Sequence, residues 1–298
     1  LPLLILASLL WSVSFALIKS SGIHPDLLSA ARLGLAALIF LPVLLRRRDA
    51  SDHRARGRPG KLALIGAVQF GLMYVLVMRS YEHLAGFEVA LLTVTTPIFV
   101  VLFEAALARR VAAQHLLGAL IAVVAALVLR WPDSGSLATI PMRGFALVAG
   151  ANAAWALGQI LYRRLYRGAP DASAADSVRD FGWLYLGAFA VAGPWAAAHV
   201  GTADLDLTAS QMGTVLYLGL IPSGLAFYLW NRGALAVNVG TLAVLNNLKV
   251  PLAVLVALSP PFSEPFDGGR LLGSGLVLAL ALAVSNWRSG AHGTSPST

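Results

Sequence analysis

The chain has 298 residues, of which 58% are hydrophobic and 12% charged, and its mean hydropathy of +0.75 lies outside the range of soluble globular domains. This is the composition of a polytopic membrane protein, and at about 20 residues per helical span it leaves room for roughly ten helices and little soluble domain. The formal charge of +8 is then no sign of nucleic-acid binding. The lack of cysteine excludes disulfides, thiolate metal sites and palmitoylation, and the six histidines (His24, His53, His83, His115, His199, His292) show no ligand spacing, so no metal and no cofactor is expected.

In chain order, the apolar segments expected to form helices are Pro2 to Ile18, Leu27 to Leu45, Leu62 to Met78, Gly86 to Leu107, Leu116 to Leu129, Gly144 to Tyr162, Phe181 to Val200, Met212 to Trp230, Val239 to Leu258 and Leu271 to Trp287. The first run has no basic stretch before it, and Trp11 and Lys19 fall where a cleaved leader needs small residues, so it is expected to be helix one, trimmed at its start. Pro25, Pro132, Pro141, Pro170, Pro260, Pro261 and Pro265 mark the joints.

Lys and Arg collect on one side of this scheme, as short cytoplasmic loops require. The joints after helices two, four, six and eight hold Arg46, Arg47, Arg48, Arg54, Arg56, Arg58, Lys61, Arg109, Arg110, Arg163, Arg164, Arg167, Arg179 and Arg232, and the tail adds Arg288. The opposite side holds Arg79, Arg130, Arg143 and Arg270, with acidic Asp204, Asp206, Glu264 and Asp267. Both termini are therefore expected in the cytoplasm, with the protein in the inner (plasma) membrane and residues 289–298 as a cytoplasmic tail.

The two halves also repeat. LASLLWSVSFALIK lies over GANAAWALGQILYR, setting Ala7 on Ala151, Trp11 on Trp155, Leu17 on Leu161 and Lys19 on Arg163. Further on, Tyr74 falls on Tyr228, Gly86 on Gly240, Leu91 on Leu245, Pro97 on Pro251 and Val100 on Val254. The expected fold is all-α and integral to the membrane: ten transmembrane helices in two five-helix repeats, residues 1–130 and 142–288. An odd helix count inverts the second copy. Such a duplication places a site between the copies near the bilayer midplane and works by alternating access.

Helix nine supplies the strongest candidate. The run GTLAVLNNLKVPLAVLVAL carries Asn246, Asn247 and Lys249 at its middle, where an ammonium costs about 2.5–3.5 kcal/mol on insertion scales and marks a substrate or ion pathway by default. Pro251 leaves a carbonyl there without its donor. The functional reading is that Lys249 binds a carboxylate; the structural one is that it bonds carbonyls freed by Pro251. Asn152, Trp155 and Gln159 share one face of helix six by spacing. Trp11, Trp155, Tyr74 and Tyr228 offer apolar walls with polar tips for an amphipathic cargo, or else serve as interfacial anchors and packing. Arg32 is expected to pair with Asp26 or to snorkel outward, and Glu88 and Glu104 near the ends of helix four are either proton sites or water-facing charges.

Trp11 with Lys19 at the helix end, Arg32 in helix two, the Pro97 and Pro251 helices and Glu264 ahead of Gly273 in SEPFDGGRLLG resemble the drug/metabolite transporter superfamily, in its EamA-type ten-helix branch. The first repeat departs from that last pattern, with Arg109 in the place of the glutamate before Gly118. The resemblance implies a basket in which helices one, three, four, six, eight and nine line a central cavity. Thr93, Thr95 and Thr96 would then face Asn247, Lys249 and Val250 across a pseudo-two-fold axis.

The expected function is a secondary transporter, possible as a monomer, moving small carboxylate metabolites, most readily amino acids outward. Drug or nucleotide-sugar cargo is the alternative, and a membrane-embedded transferase the alternative of another class. A phosphate loop, an HExxH pair and a GxSxG elbow are all missing from the sequence, so an enzyme is not expected.

Overall fold

The computed structural model describes residues 1–45, 58–84, 89, 92–109, 113–130, 141–166, 174–258 and 268–287. Among these the chain is helical throughout, without strands. The elements are α1 (Pro2–Ser20), α2 (Pro25–Leu45), α3 (Arg58–Ser80), α4 (Thr96–Ala108), α5 (Ala113–Arg130), α6 (Met142–Tyr166), α7 (Ala174–His199), α8 (Ala209–Leu235), α9 (Val239–Leu245), α10 (Lys249–Leu258) and α11 (Gly268–Asn286). Five stretches, Pro25–Leu45, Arg58–Ser80, Met142–Tyr166, Val178–His199 and Ala209–Leu235, are long and apolar enough to cross a membrane, and shorter apolar helices accompany them. Leu38, Leu64, Leu102, Leu276 and Leu280 stay exposed on the outer surface, as they do when the surrounding solvent is lipid.

The observed starts follow local chemistry more closely than hydropathy does. Helix α2 begins at Pro25, whose missing N–H costs nothing at a first turn. Helix α8 begins after a capping box: Gln211 N donates to Thr208 Oγ1 at 3.2 Å and Thr208 N to Gln211 Oε1 at 3.0 Å. Asn238 caps α9 by accepting from Thr241 N at 2.8 Å.

Two departures from regular α-helix occur twice. Helices α3 and α8 each pass through a π-segment, Ala67–Leu72 and Gly219–Ala226. The second contains Pro222, which cannot donate to the helix ladder. The expected continuous helix over Val239 to Leu258 is interrupted at 246–248, where Asn247 N bonds Val244 O and Leu248 N bonds Leu245 O in tight turns of 3.1 Å each. Before α4 the chain makes the same manoeuvre: Thr95 N bonds Leu92 O at 3.2 Å and Ile98 N bonds Thr95 O at 3.0 Å. Each break lies a few residues ahead of a proline, Pro97 or Pro251.

Small residues permit the closest packing. A Cβ at Gly66 would stand 1.8 Å from Leu184 O, and one at Gly187 would stand 1.8 Å from Ala63 O, so α3 and α7 touch backbone to backbone through reciprocal glycines. The core behind them is aromatic, from Phe40, Phe181 and Tyr185 on one side to Trp11, Trp155 and Trp230 on the other.

Candidate functional site

The two breaks face each other. Asn247, fully buried, donates Nδ2 to Val94 O at 2.9 Å and to Ala122 O at 3.1 Å. Val94 O is one of the carbonyls that the tight turn before α4 leaves without a helical partner. Asn247 is therefore the clasp between α4, α5 and the α9–α10 break. Its amide nitrogen is engaged by backbone, while its Oδ1 is buried without a donor among the described residues.

Asn246, one residue earlier, turns to the opposite side. Its Oδ1 accepts from Trp155 Nε1 at 2.8 Å and from Gln159 Nε2 at 3.2 Å, and its Nδ2 donates to Leu242 O at 2.8 Å. All three side chains are at least nine-tenths buried. Trp155 then meets Trp11 edge to face at 5.7 Å, and Trp11 donates its own Nε1 to Pro222 O at 2.9 Å, inside the π-segment of α8. Phe227 and Trp230 of α8 close the group, with ring centroids 5.1 and 5.0 Å from Trp11. Trp230 Nε1 is buried and has no acceptor among the described residues.

Asn152 lies one turn from Trp155 and makes a second node. Its Nδ2 donates to Leu92 O at 2.9 Å and to Thr95 Oγ1 at 3.0 Å. Thr95 also lines an apolar cleft of about 170 Å³ with Leu92, Ile98, Phe99, Phe145 and Ala149. Thr93 is half-buried beside it, and its carbonyl accepts from Thr96 Oγ1 at 2.7 Å. Of the expected set, then, Trp11, Trp155, Gln159 and Asn246 come together directly, and Asn152, Thr93 and Thr95 adjoin them.

Tyr74 reaches the group only at its edge, 6.1 Å from Phe227. Tyr228 does not reach it. Its ring packs on Phe181 at 5.1 Å and Phe40 at 6.1 Å, because Phe227 takes the inward place on α8 and one residue along a helix rotates the side chain by about 100°.

Lys249 opens α10, which packs against α1, and is half-buried. The carbonyl that Pro251 deprives of a donor is Asn247 O, and it accepts from Val250 N at 3.0 Å instead of from Lys249. Among the described residues no hydrogen bond and no ion pair engages the Lys249 ammonium. The structural explanation of this lysine, bonding to carbonyls freed by the proline, is not what the geometry displays.

Other charges resolve differently. Asp26 pairs with Arg79 at 3.2 Å, not with Arg32, whose Nε donates to Ser223 Oγ at 3.0 Å from a buried position. Glu104 stands 3.7 Å from Arg164. Glu88 lies outside the described residues, as do the sequence around Glu264 and the side chain of Lys19. Sequence reasoning missed Phe227 and Trp230, together with the fully buried pair Gln69 and Asn231, which exchange two bonds of 2.9 and 3.3 Å between α3 and α8. The spacing of Phe227, Trp230 and Asn231, three and four apart on one helix face, was the available signal. Among the described residues no cluster of His, Asp or Glu is arranged to hold a metal ion.

The EamA-like transporter family model matches residues 1–131. A biotin transporter of Salmonella typhimurium is 34% identical over 297 residues, covering 96% of this chain and 93% of that protein. A probable biotin transporter of Pseudomonas aeruginosa is 36% identical over 286 residues, covering 95% of this chain and 96% of its own length. The aromatic amino acid exporter YddG of Ancylobacter novellus is 25% identical over 283 residues, with 93% and 92% covered. A solved crystal structure superposes with a TM-score of 0.77 over 98% of both chains at 21% identity, which speaks to fold alone. The named relatives are transporters and not enzymes, and with relatives above 30% identity along nearly its whole length this chain belongs to the EamA-like transporter family of the drug/metabolite transporter superfamily.

Proposed function

We propose that this chain is a secondary carrier for a small amphipathic carboxylate of the biotin type, working by alternating access between two inverted five-helix halves. The carrying observation is Lys249: a half-buried cation just after the break between α9 and α10, three residues beyond Asn246 and without a partner among the described residues. A desolvated ammonium forms a charge-assisted bond to a carboxylate roughly twice as strong as a neutral hydrogen bond. Biotin carries that carboxylate on an apolar chain and ends in a cyclic urea, whose oxygen accepts and whose N–H groups donate. The core matches this demand. Trp155 and Gln159 satisfy the two lone pairs of Asn246 Oδ1, and Trp230 holds a buried N–H without an acceptor among the described residues. A urea oxygen would accept from that indole.

The named relatives support this cargo over amino acids, since the biotin transporters are 34% and 36% identical and the amino acid exporter 25%. The paired π-segments, and a helix break a few residues before a proline in each half, support the inverted repeat, with halves at residues 1–130 and 142–288. Loop charge supports both termini on the cytoplasmic side of the inner membrane.

The test is uptake by purified protein in liposomes offered an equimolar mixture of biotin, biotin amide and phenylalanine. Biotin should accumulate well ahead of the other two. Movement of phenylalanine without biotin would return the assignment to amino acids.

A further inference from the structure

Arg32 lies on α2, seven residues from Pro25 and so about 10 Å into the helix at 1.5 Å per residue. It is 2% exposed. Among the described residues only part of the guanidinium is occupied: Nε donates to Ser223 Oγ at 3.0 Å, the guanidinium carbon lies 5.0 Å over the Tyr74 ring, and Nη1 is buried without an acceptor. No ion pair with a carboxylate of the described residues engages it; Asp26 on the same helix pairs through Oδ2 with Arg79. A guanidinium is always charged, and a membrane-embedded charge is retained where it meets a counter-charge or a pathway.

We propose that Arg32, with Ser223 and Tyr74, forms a second anion site, separate from Lys249, that binds a monovalent carboxylate through Nη1. The planar fork of the guanidinium suits the two oxygens of a carboxylate, and the Tyr74 face holds the plane in place. Nη1 is enclosed in this conformation, so an anion reaches it when Gly219–Ala226 moves off α2. That segment is a π-helix containing Pro222, which cannot donate to the helix ladder, and it is tied to the aromatic core by the bond from Trp11 to the carbonyl of Pro222. Arrival of an anion at Arg32 is thereby connected to the group around Asn246. The proposal rests on the carrier reading only for the source of the anion, cargo carboxylate or a small inorganic ion.

Melting of the purified protein in detergent tests it, with sodium pentanoate as the probe and sodium chloride at equal ionic strength as the comparison. A ligand that binds only the folded state raises Tm with the logarithm of its concentration. In Lys249→Met the pentanoate-dependent rise should persist, and adding Arg32→Gln should abolish it. Arg32→Lys keeps the charge without the fork and should need more pentanoate for the same rise, which keeps the question answerable if the glutamine variant folds poorly. An equal rise with chloride identifies a general anion site, and a rise with pentanoate alone identifies cargo carboxylate. Loss of the whole effect in Lys249→Met would leave Lys249 as the sole anion site and overturn the proposal, as would an unchanged effect in both Arg32 variants. An effect that vanishes in Arg32→Gln alone and is untouched in Lys249→Met would keep Arg32 and remove Lys249.

Discussion

Asn246 and Asn247 are neighbours of identical chemistry with opposite tasks, and only their environments separate them. Asn246 receives the indole of Trp155 and the amide of Gln159, whereas Asn247 holds the carbonyls of Val94 and Ala122. Replacing Asn247 with Ala leaves two buried carbonyls without donors, at about 1–3 kcal/mol each. It should lower Tm and folded yield while leaving the cargo preference of the surviving protein as it was, measured as the ratio of biotin to biotin amide uptake. Trp155→Phe keeps the ring and removes the N–H. It should weaken cargo affinity by about 0.5–1.5 kcal/mol, roughly two- to tenfold, and Tyr228→Phe should change neither affinity nor preference. Equal losses in the two variants would place Tyr228 back in the site. Trp155, Gln159 and Asn246 were legible in the sequence because helical spacing and depth point one way. Tyr228 misled because repeat alignment pairs it with Tyr74 but says nothing about which of Phe227 and Tyr228 faces inward. Arg32 misled because Asp26, the partner nearest in sequence, was within reach of Arg79 from another helix.

At the scale of elements, hydropathy located α1 to α8 and α11 and merged α9 with α10, and its errors have physical causes. Segment α7 extends well before its expected start, to Ala174, through residues that include Asp176, Arg179 and Asp180. Those charges lower hydropathy, but Asp180 is held there by Arg58 at 2.9 Å and by Tyr166 Oη at 2.5 Å, partners from α3 and α6 that no local pattern announces. The break between α9 and α10 was invisible for a related reason. Asn and Pro merely weaken a helix, and it took the carbonyl-binding of Asn247 across to α4 and α5 to make a turn the better structure. The reciprocal glycines of α3 and α7 lead to a further expectation. Gly187→Leu sets a side chain into the space of the Ala63 carbonyl, so the two helices must part, and folded protein recovered from membranes should fall sharply. Gly213→Leu, at a position with open space around it, should be recovered at the wild-type level. Equal recovery of the two variants would mean that the α3–α7 contact does not hold the bundle.

For the whole molecule, a reporter fused after Gly201 should lie outside the cytoplasm and one fused at the C-terminus inside it. Gly201 inside would reverse the orientation argued from loop charge. Class and family were readable from composition, the Trp11 and Trp155 repeat and the Pro97 and Pro251 helices, because a membrane constrains sequence over long stretches. The cargo was not, because it depends on a few donors and acceptors whose convergence only three dimensions display. The central claim is that Lys249 holds the carboxylate of the transported molecule. It is tested most directly by uptake of biotin and of biotin amide into liposomes containing wild-type protein or Lys249→Met, which retains an apolar stem and removes the charge. A bond to a charged group contributes about 1.5–3 kcal/mol, so biotin affinity should fall roughly ten- to a hundredfold in the variant, with the amide nearly unaffected. Biotin affinity unchanged in a folded Lys249→Met protein, or a parallel loss for biotin and its amide, would contradict the account.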